Sequence, residues 1–295
     1  MRENLRGIGL MIAAMGLFAV EDALIKLASG SLPTGQILFM LGAAGAPVFA
    51  LWGLSRGVSP FTRAALHPAL LLRNGLEVIG TLGFVTALTL IPLSLASAIL
   101  QAAPILVTAG AALFLGEAVG WRRWAAVSIG FVGVLIILRP GAAAFDPNSL
   151  WAVLGVAGLA GRDLATRRMP PGLPTTTVAT WGFASVAALG AVVMATGGGA
   201  VWPDGRGLAL VGAAIVIGLV AYWSIIEATR AGDASAVAPF RYTRIVFALI
   251  LGMVLFAERP DGAMLLGAAI VVSSGLYTYL REARIKQLSK PALSR

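Results

Sequence analysis

The chain has no cysteine and a single histidine, His67, among its 295 residues. Disulfides and thiol chemistry are therefore closed to it, and it lacks the His/Cys cluster that a zinc centre needs. Charge is scarce as well. Asp, Glu, Lys and Arg together make 12% of the residues, about half the ~25% usual in soluble domains. No Gly-x-x-x-x-Gly-Lys-Ser/Thr phosphate loop occurs, which excludes a nucleotide-driven pump of that type.

What is abundant is apolar sequence: 58% of residues are hydrophobic and the mean hydropathy is +0.89. Runs of about 20 apolar residues recur along the whole length, each long enough to cross a bilayer core. The expected fold class is an all-α polytopic membrane protein. Ten transmembrane helices are expected at about 5–28, 35–54, 69–91, 95–116, 122–139, 149–166, 174–196, 207–229, 234–257 and 262–281. The longest polar piece runs from Arg281 to Arg295, so no separate soluble domain is expected. The first apolar run lacks a signal-peptide cleavage pattern and is long enough to be a span.

The net charge of +9 finds its explanation in topology, not in nucleic acid, because cytoplasmic loops collect Lys and Arg. With the N-terminus in the cytoplasm, the cytoplasmic segments hold Arg2, Arg6, Arg56, Arg63, Arg73, Arg122, Arg123, Arg167, Arg168, Arg230, Arg281, Arg284, Lys286, Lys290 and Arg295. The other side holds Lys26, Arg139, Arg206 and Arg259, and Arg162, Arg241 and Arg244 fall inside spans. That asymmetry predicts both termini in the cytoplasm of a multi-pass protein of the bacterial inner membrane.

A shift of 141 residues aligns the chain with itself without a gap. Asp22 meets Asp163, Lys26 meets Arg167, Leu32-Pro33-Thr34 meets Leu173-Pro174-Thr175, Ser94 meets Ser235, and Glu117 meets Glu258. Five helices per half is an odd number, so the second half enters the membrane from the opposite side. The expected organisation is two inverted five-helix repeats, 1–141 and 142–283, followed by a cytoplasmic tail, 284–295. Such symmetry is typical of secondary transporters with a midplane site between the halves.

The paired stretches "LASAILQAAPILVTAGAALFLGEAVGWRRW" and "DASAVAPFRYTRIVFALILGMVLFAERPD" resemble the two halves of the drug/metabolite transporter superfamily, EamA type. The stretches "GWRRWAAVSIGFVGVLIILRPG", "FDPNSLWAVLGVAGLAGRDLATRR" and "APFRYTR" are most similar to a subgroup that includes S-adenosylmethionine uptake carriers. Riboflavin uptake carriers and aromatic amino acid exporters are further relatives. The resemblance covers nearly the whole chain and implies the ten-helix layout and a metabolite-carrying activity.

Ionisable groups inside spans are functional candidates, since each is costly in hydrocarbon. Glu77, Arg162, Asp163, Arg241 and Arg244 all fall at similar depth in the cytoplasmic half, counted at about 1.5 Å per residue. Glu77 and Asp163 are the expected partners of Arg241 and Arg244, because an unpaired buried charge is costly. Pro239 is expected to kink its span. Glu21 and Asp22 form a second cluster near the depth of Gln101. It suits proton coupling, capture of a cation, or pairing with Lys26. Aromatic rings could stack on a planar substrate or hold a cation. Phe84, Trp181, Phe183, Tyr222, Trp223, Phe240 and Tyr242 lie within spans, whereas Trp121, Trp124, Trp151 and Trp202 read as interfacial anchors. Glu117 and Glu258 sit at helix ends and read as structural.

The candidate substrate-binding residues are therefore Glu77, Thr81, Phe84, Gln101, Tyr222, Trp223, Phe240, Arg241, Tyr242 and Arg244. Candidates for coupling or gating are Glu21, Asp22, Arg162 and Asp163. No catalytic residue, metal or cofactor is expected. The expected function is secondary active transport of a small organic metabolite by alternating access, with S-adenosylmethionine, riboflavin or an amino acid as candidates. A drug or amino acid exporter of the same fold is the alternative, ahead of a membrane enzyme or channel. Expected partners are the substrate, the lipid bilayer and protons as coupling ion, in a monomer or homodimer.

Overall fold

The computed structural model describes residues 2–117, 120–170, 172–197, 199–231 and 237–288. Among them the chain is helix and turn, with no strand. The α-helices are α1 (Arg2–Ala28), α2 (Thr34–Ser55), α3 (Pro68–Leu90), α4 (Leu93–Leu100), α5 (Ala103–Phe114) and α6 (Trp121–Leu138). They continue as α7 (Ser149–Arg167), α8 (Thr175–Thr196), α9 (Gly205–Ala231), α10 (Thr243–Phe256) and α11 (Gly262–Leu288). Short 3₁₀ turns cover Arg63–Leu66 and Ala238–Tyr242.

Proline marks many of the starts, as its fixed φ and missing N–H allow only there. Pro33, Pro92 and Pro174 stand at the N-caps of α2, α4 and α8. Pro68 opens α3 behind His67, whose Nδ1 accepts the Ala69 N–H at 3.2 Å.

Eight described segments are long and apolar enough to cross a membrane. One of them, Leu93–Phe114, comprises α4 and α5. Two expected spans are not single helices. The span expected at 95–116 breaks at Gln101 and Ala102, with Pro104 in the first turn of α5. The span expected at 234–257 is described only from 237, and passes through the 3₁₀ turn with Pro239 before α10 begins at Thr243. Ser235 and the last residues of the tail lie outside the described residues. α11 continues beyond its expected end at 281 to Leu288.

The most extensive helix pairings all join the first half of the chain to the second: α2 with α8, α3 with α7, α1 with α9, and α6 with α11. Smaller contacts join α4 to α10. Glycine makes two of these crossings, α3–α7 and α6–α11, close. A Cβ on Gly80 would lie 2.7 Å from the Leu159 nitrogen, and one on Gly155 would lie 2.7 Å from the Phe84 nitrogen. A Cβ on Gly133 would come within 2.9 Å of the Gly267 carbonyl. Small residues are what allow such approach where lipid tails compete for every apolar contact.

We call the end where α1 starts the near end and the other the far end. One large core of buried side chains fills the far end and the middle. It draws on Ile25, Leu32, Leu88, Leu93, Ile99, Ile137, Val156, Val211 and Val271, among others. Towards the near end the packing divides. Met11, Met15, Ala228 and Val237 form one cluster, and Ala65, Leu70 and Val178 form another. Trp121 and Trp202 project at opposite ends, 75% and 97% exposed.

Gly83 and Gly75 provide a test of the packing. Gly83→Val forces a side chain against the Gly155 backbone and should destabilise by about 1–3 kcal/mol, the cost of overpacking. Gly75 faces open space, so Gly75→Ala should leave the apparent Tm in detergent unchanged or slightly raised.

Candidate functional site

Two charged clusters lie inside the bundle. The first sits where α3 crosses α7. Glu77 receives two guanidinium groups: Arg73 Nη2 lies 2.6 Å from one carboxylate oxygen and Arg162 Nη1 2.9 Å from the other. Arg162 also reaches Asp163 at 2.8 Å, and Arg73 Nη1 donates to Asn74 Oδ1 at 3.0 Å. Arg73 and Asn74 are buried, whereas the Asp163 side chain is 42% exposed. Two cations and two carboxylates thus balance.

Beside this quartet stands an aromatic group. Phe49 on α2 stacks on Phe183 of α8 at 5.5 Å, and Tyr222 of α9 meets Phe49 edge-on at 5.1 Å. Tyr222 is within electrostatic range of all four charges. A planar face next to paired charges is chemistry suited to a ring-bearing, polar guest.

The second cluster joins α1 to α10. Asp22 Oδ2 accepts from Arg244 through Nη2 at 2.6 Å and Nε at 3.2 Å. The Arg244 guanidinium also lies over the rings of Phe18 and Phe84, at 5.2 and 5.6 Å. Glu21, half-buried next to Asp22, makes no ion pair among the described residues. It lies against Gly218 of α9, where a Cβ would meet its carboxylate. This cluster carries two carboxylates to one arginine.

The expected partners are corrected accordingly. Arg244 pairs with Asp22, not with Glu77 or Asp163. Lys26 pairs with neither Glu21 nor Asp22: its Nζ donates to the Leu88 and Ile91 carbonyls at 2.9 and 2.6 Å, where α3 ends. Arg241 is exposed on the 3₁₀ turn and makes no ion pair among the described residues. The physical reason is rotation. Arg244, in the first turn of α10, is half-buried and turned to Asp22 on α1, whereas Arg241, within the 3₁₀ turn, is exposed.

The other candidates separate into groups. Thr81 and Phe84 follow Glu77 at helical spacing on one face of α3. Gln101 and Tyr242 meet directly, Nε2 to carbonyl oxygen at 3.1 Å, on the seam between α4 and α10. The Tyr242 ring packs against Gly275. Phe240 packs on the cluster around Met11 and Met15. Trp223 is 47% exposed, while its neighbour Tyr222 turns inward. Trp181 is tied by its indole N–H to the Pro60 carbonyl at 2.9 Å.

Arg73 is the residue that sequence reading misplaced, counting it with the loops. Its position four residues before Glu77 was the available signal, since i and i+4 share a helix face. Two cavities lie away from the quartet's centre. One of about 320 Å³ is bordered by Leu71, Asn74, Trp181 and Ser185. One of about 220 Å³ at the far end is bordered by Ser94, Arg139, Glu258 and Asp261.

Apolar helices of bilayer length, enclosing charges that neutralise one another, define a polytopic membrane protein. The chain belongs to the EamA-like transporter family, whose pattern matches residues 5–139 and again 147–280. It is 32% identical to a riboflavin transporter of Rhizobium johnstonii, over 75% of this chain and 72% of that protein. It is 24% identical to an S-adenosylmethionine uptake transporter of Rickettsia felis, over 96% of each. It is 29% identical to a pseudopaline exporter of Pseudomonas aeruginosa, over 90% of this chain and 93% of that protein. A solved crystal structure shares the fold with a TM-score of 0.60 at 23% identity, over 93% of this chain and 97% of the other. The chain is thus a transporter of small molecules in the drug/metabolite transporter superfamily, not an enzyme.

Removing Glu77 takes away Arg73's only ion-pair partner among the described residues and leaves Arg162 with Asp163 alone, whereas removing Asp163 strands neither arginine, because Glu77 still holds both. Glu77→Ala should therefore cost about 3–5 kcal/mol of stability, the penalty for breaking a buried pair. Asp163→Ala, at a more exposed group, should cost about 1 kcal/mol or less. Thermal unfolding of both variants in detergent checks the ordering.

Proposed function

We propose that the chain is a secondary carrier that moves a small organic metabolite across the bacterial inner membrane by alternating access, in ten spans arranged as two inverted five-helix repeats. The helix pairing carries this reading. Exchanging the halves turns the α3–α7 pair into α9–α1, and leaves α2–α8 and α6–α11 mapped onto themselves. The two separate family matches support the division into 1–141 and 142–283. Adding α7, with its buried charges, and the apolar stretch Gly262–Thr278 brings the spans to ten. In this topology the near end is cytoplasmic, in keeping with the distribution of Lys and Arg. The continuous core at the far end and the divided packing at the near end suit a carrier held shut on one side and ready to part on the other.

The substrate in this reading is zwitterionic or amphipathic and bears a ring, as S-adenosylmethionine, riboflavin and aromatic amino acids do. Tyr222 and Phe183 supply the stacking face, and Glu77, Arg162 and Asp163 the exchangeable polar contacts. Glu21 and Asp22 are the groups for a coupling proton. The relatives named for uptake and for export fit one architecture whose direction follows the gradients it couples.

Counterflow in liposomes tests the reading, with labelled S-adenosylmethionine, riboflavin and tryptophan. One compound should exchange saturably. Glu77→Gln should reduce that exchange about tenfold or more, equivalent to ~1.4 kcal/mol, and Trp223→Ala should leave it within about twofold. Exchange unaffected by Glu77→Gln would remove the quartet from the site. Absence of any exchange by folded protein would remove the three substrates.

A further inference from the structure

Glu258 does more than end a helix. Its carboxylate receives the Leu93 N–H at 2.5 Å, the Ser94 N–H at 3.0 Å and the Ser94 hydroxyl at 2.5 Å. These are donors at the N-terminus of α4, in the other half of the chain. The result is a bond across the far-end seam, outside the Gln101–Tyr242 contact that closes the same seam deeper in. Lys26 stands close enough to Glu258 to interact electrostatically, while its ammonium is spent on α3 carbonyls.

At the near end the same residue types sit in a different arrangement. Glu117 and Arg167 are the counterparts of Glu258 and Lys26 at the 141-residue shift. The backbone turn is the same in both places. Glu117 N–H donates to the Ala111 carbonyl at 3.2 Å and Glu258 N–H to the Gly252 carbonyl at 3.1 Å, and each glutamate follows a residue of positive φ, Gly116 and Ala257. The side chains differ. Glu117 is paired with Arg167 at 2.8 Å, an exposed ion pair, whereas Glu258 is engaged with backbone across the seam.

We propose that Glu258 is a releasable latch on the far-end gate, and that Lys26 is the partner it takes when released, in the manner of the Glu117–Arg167 pair. Releasing α4 lets Glu258 turn to Lys26 and frees α4 from α10 at the far end. The latch rests on the alternating-access reading, but its test needs no substrate, so the two can fail separately.

The absence of native cysteine makes the test direct. Ser97 is 1% exposed and lies one turn below Ser94 on α4, inside the latch. Ser97→Cys is a near-isosteric reporter for a membrane-impermeant thiol reagent, applied to each side of the membrane in turn. Labelling from the far side should be slow in the Glu258 parent. It should be about tenfold faster with Glu258→Ala, because hydrogen bonds to a charged group are lost, with no matching rise from the near side. Ser94→Ala, which removes one of the three bonds, should give a smaller rise in the same direction, and Glu117→Ala none. Ser94→Ala decides the matter if Glu258→Ala fails to fold. Far-side labelling unchanged by removing either latch partner, or a rise from both sides alike, would overturn the proposal.

Discussion

Hydrocarbon gives helices no reason to associate through their apolar faces, because lipid tails satisfy those faces equally well. Everything else in this protein depends on how that constraint is met. The answer is proximity. Glycine against backbone at Gly80, Gly155, Gly133 and Gly267 brings helices of one half within van der Waals reach of the other, where many weak contacts add up. Because the close crossings all join the two halves, neither half has a large core of its own, and the far-end core is built from both.

That closeness also makes buried charge tolerable. A guanidinium in the bilayer needs a carboxylate at hydrogen-bond range, fixed in place. Glu77 reaches Arg73 along its own helix and Arg162 across the Gly80–Gly158 crossing. Asp22 reaches Arg244 across the α1–α10 contact. Each pair therefore records a helix crossing. A charged pair of this kind resists sliding of the helices it spans, yet it can exchange partners when a polar guest arrives, which apolar packing cannot do.

Much of the fold was legible in the sequence, for physical reasons that differ from element to element. Apolar runs located eight of the spans, since bilayer length is a local rule. The resemblance to EamA-type transporters held because it rested on paired motifs along nearly the whole chain. Site pairing was legible only in part. Depth along a helix can be counted from its ends, and it grouped Glu77 with Arg162 and Asp163 correctly. Azimuth cannot be counted across a helix break, so Arg241 and Arg244 were sent to the wrong partners. Lys26 was read by sequence distance to Asp22, but its long side chain reaches beyond its own helix to the end of α3. Glu258 looked like a local helix end because its donors lie more than 160 residues away in sequence.

The two broken spans have an electrical consequence. The breaks fall at Gln101–Ala102 and at Tyr242–Thr243, and each leaves a short helix, α5 or α10, whose N-terminus starts deep in the bundle. A free terminus of that kind presents roughly half a positive charge from aligned peptide dipoles, and here the C-terminal end of the preceding turn offsets part of it. Arg244, in the first turn of α10, adds its own charge at one of the two breaks, and Asp22 on α1 sets a carboxylate against it. A change in that break therefore moves the charge that Asp22 has to balance.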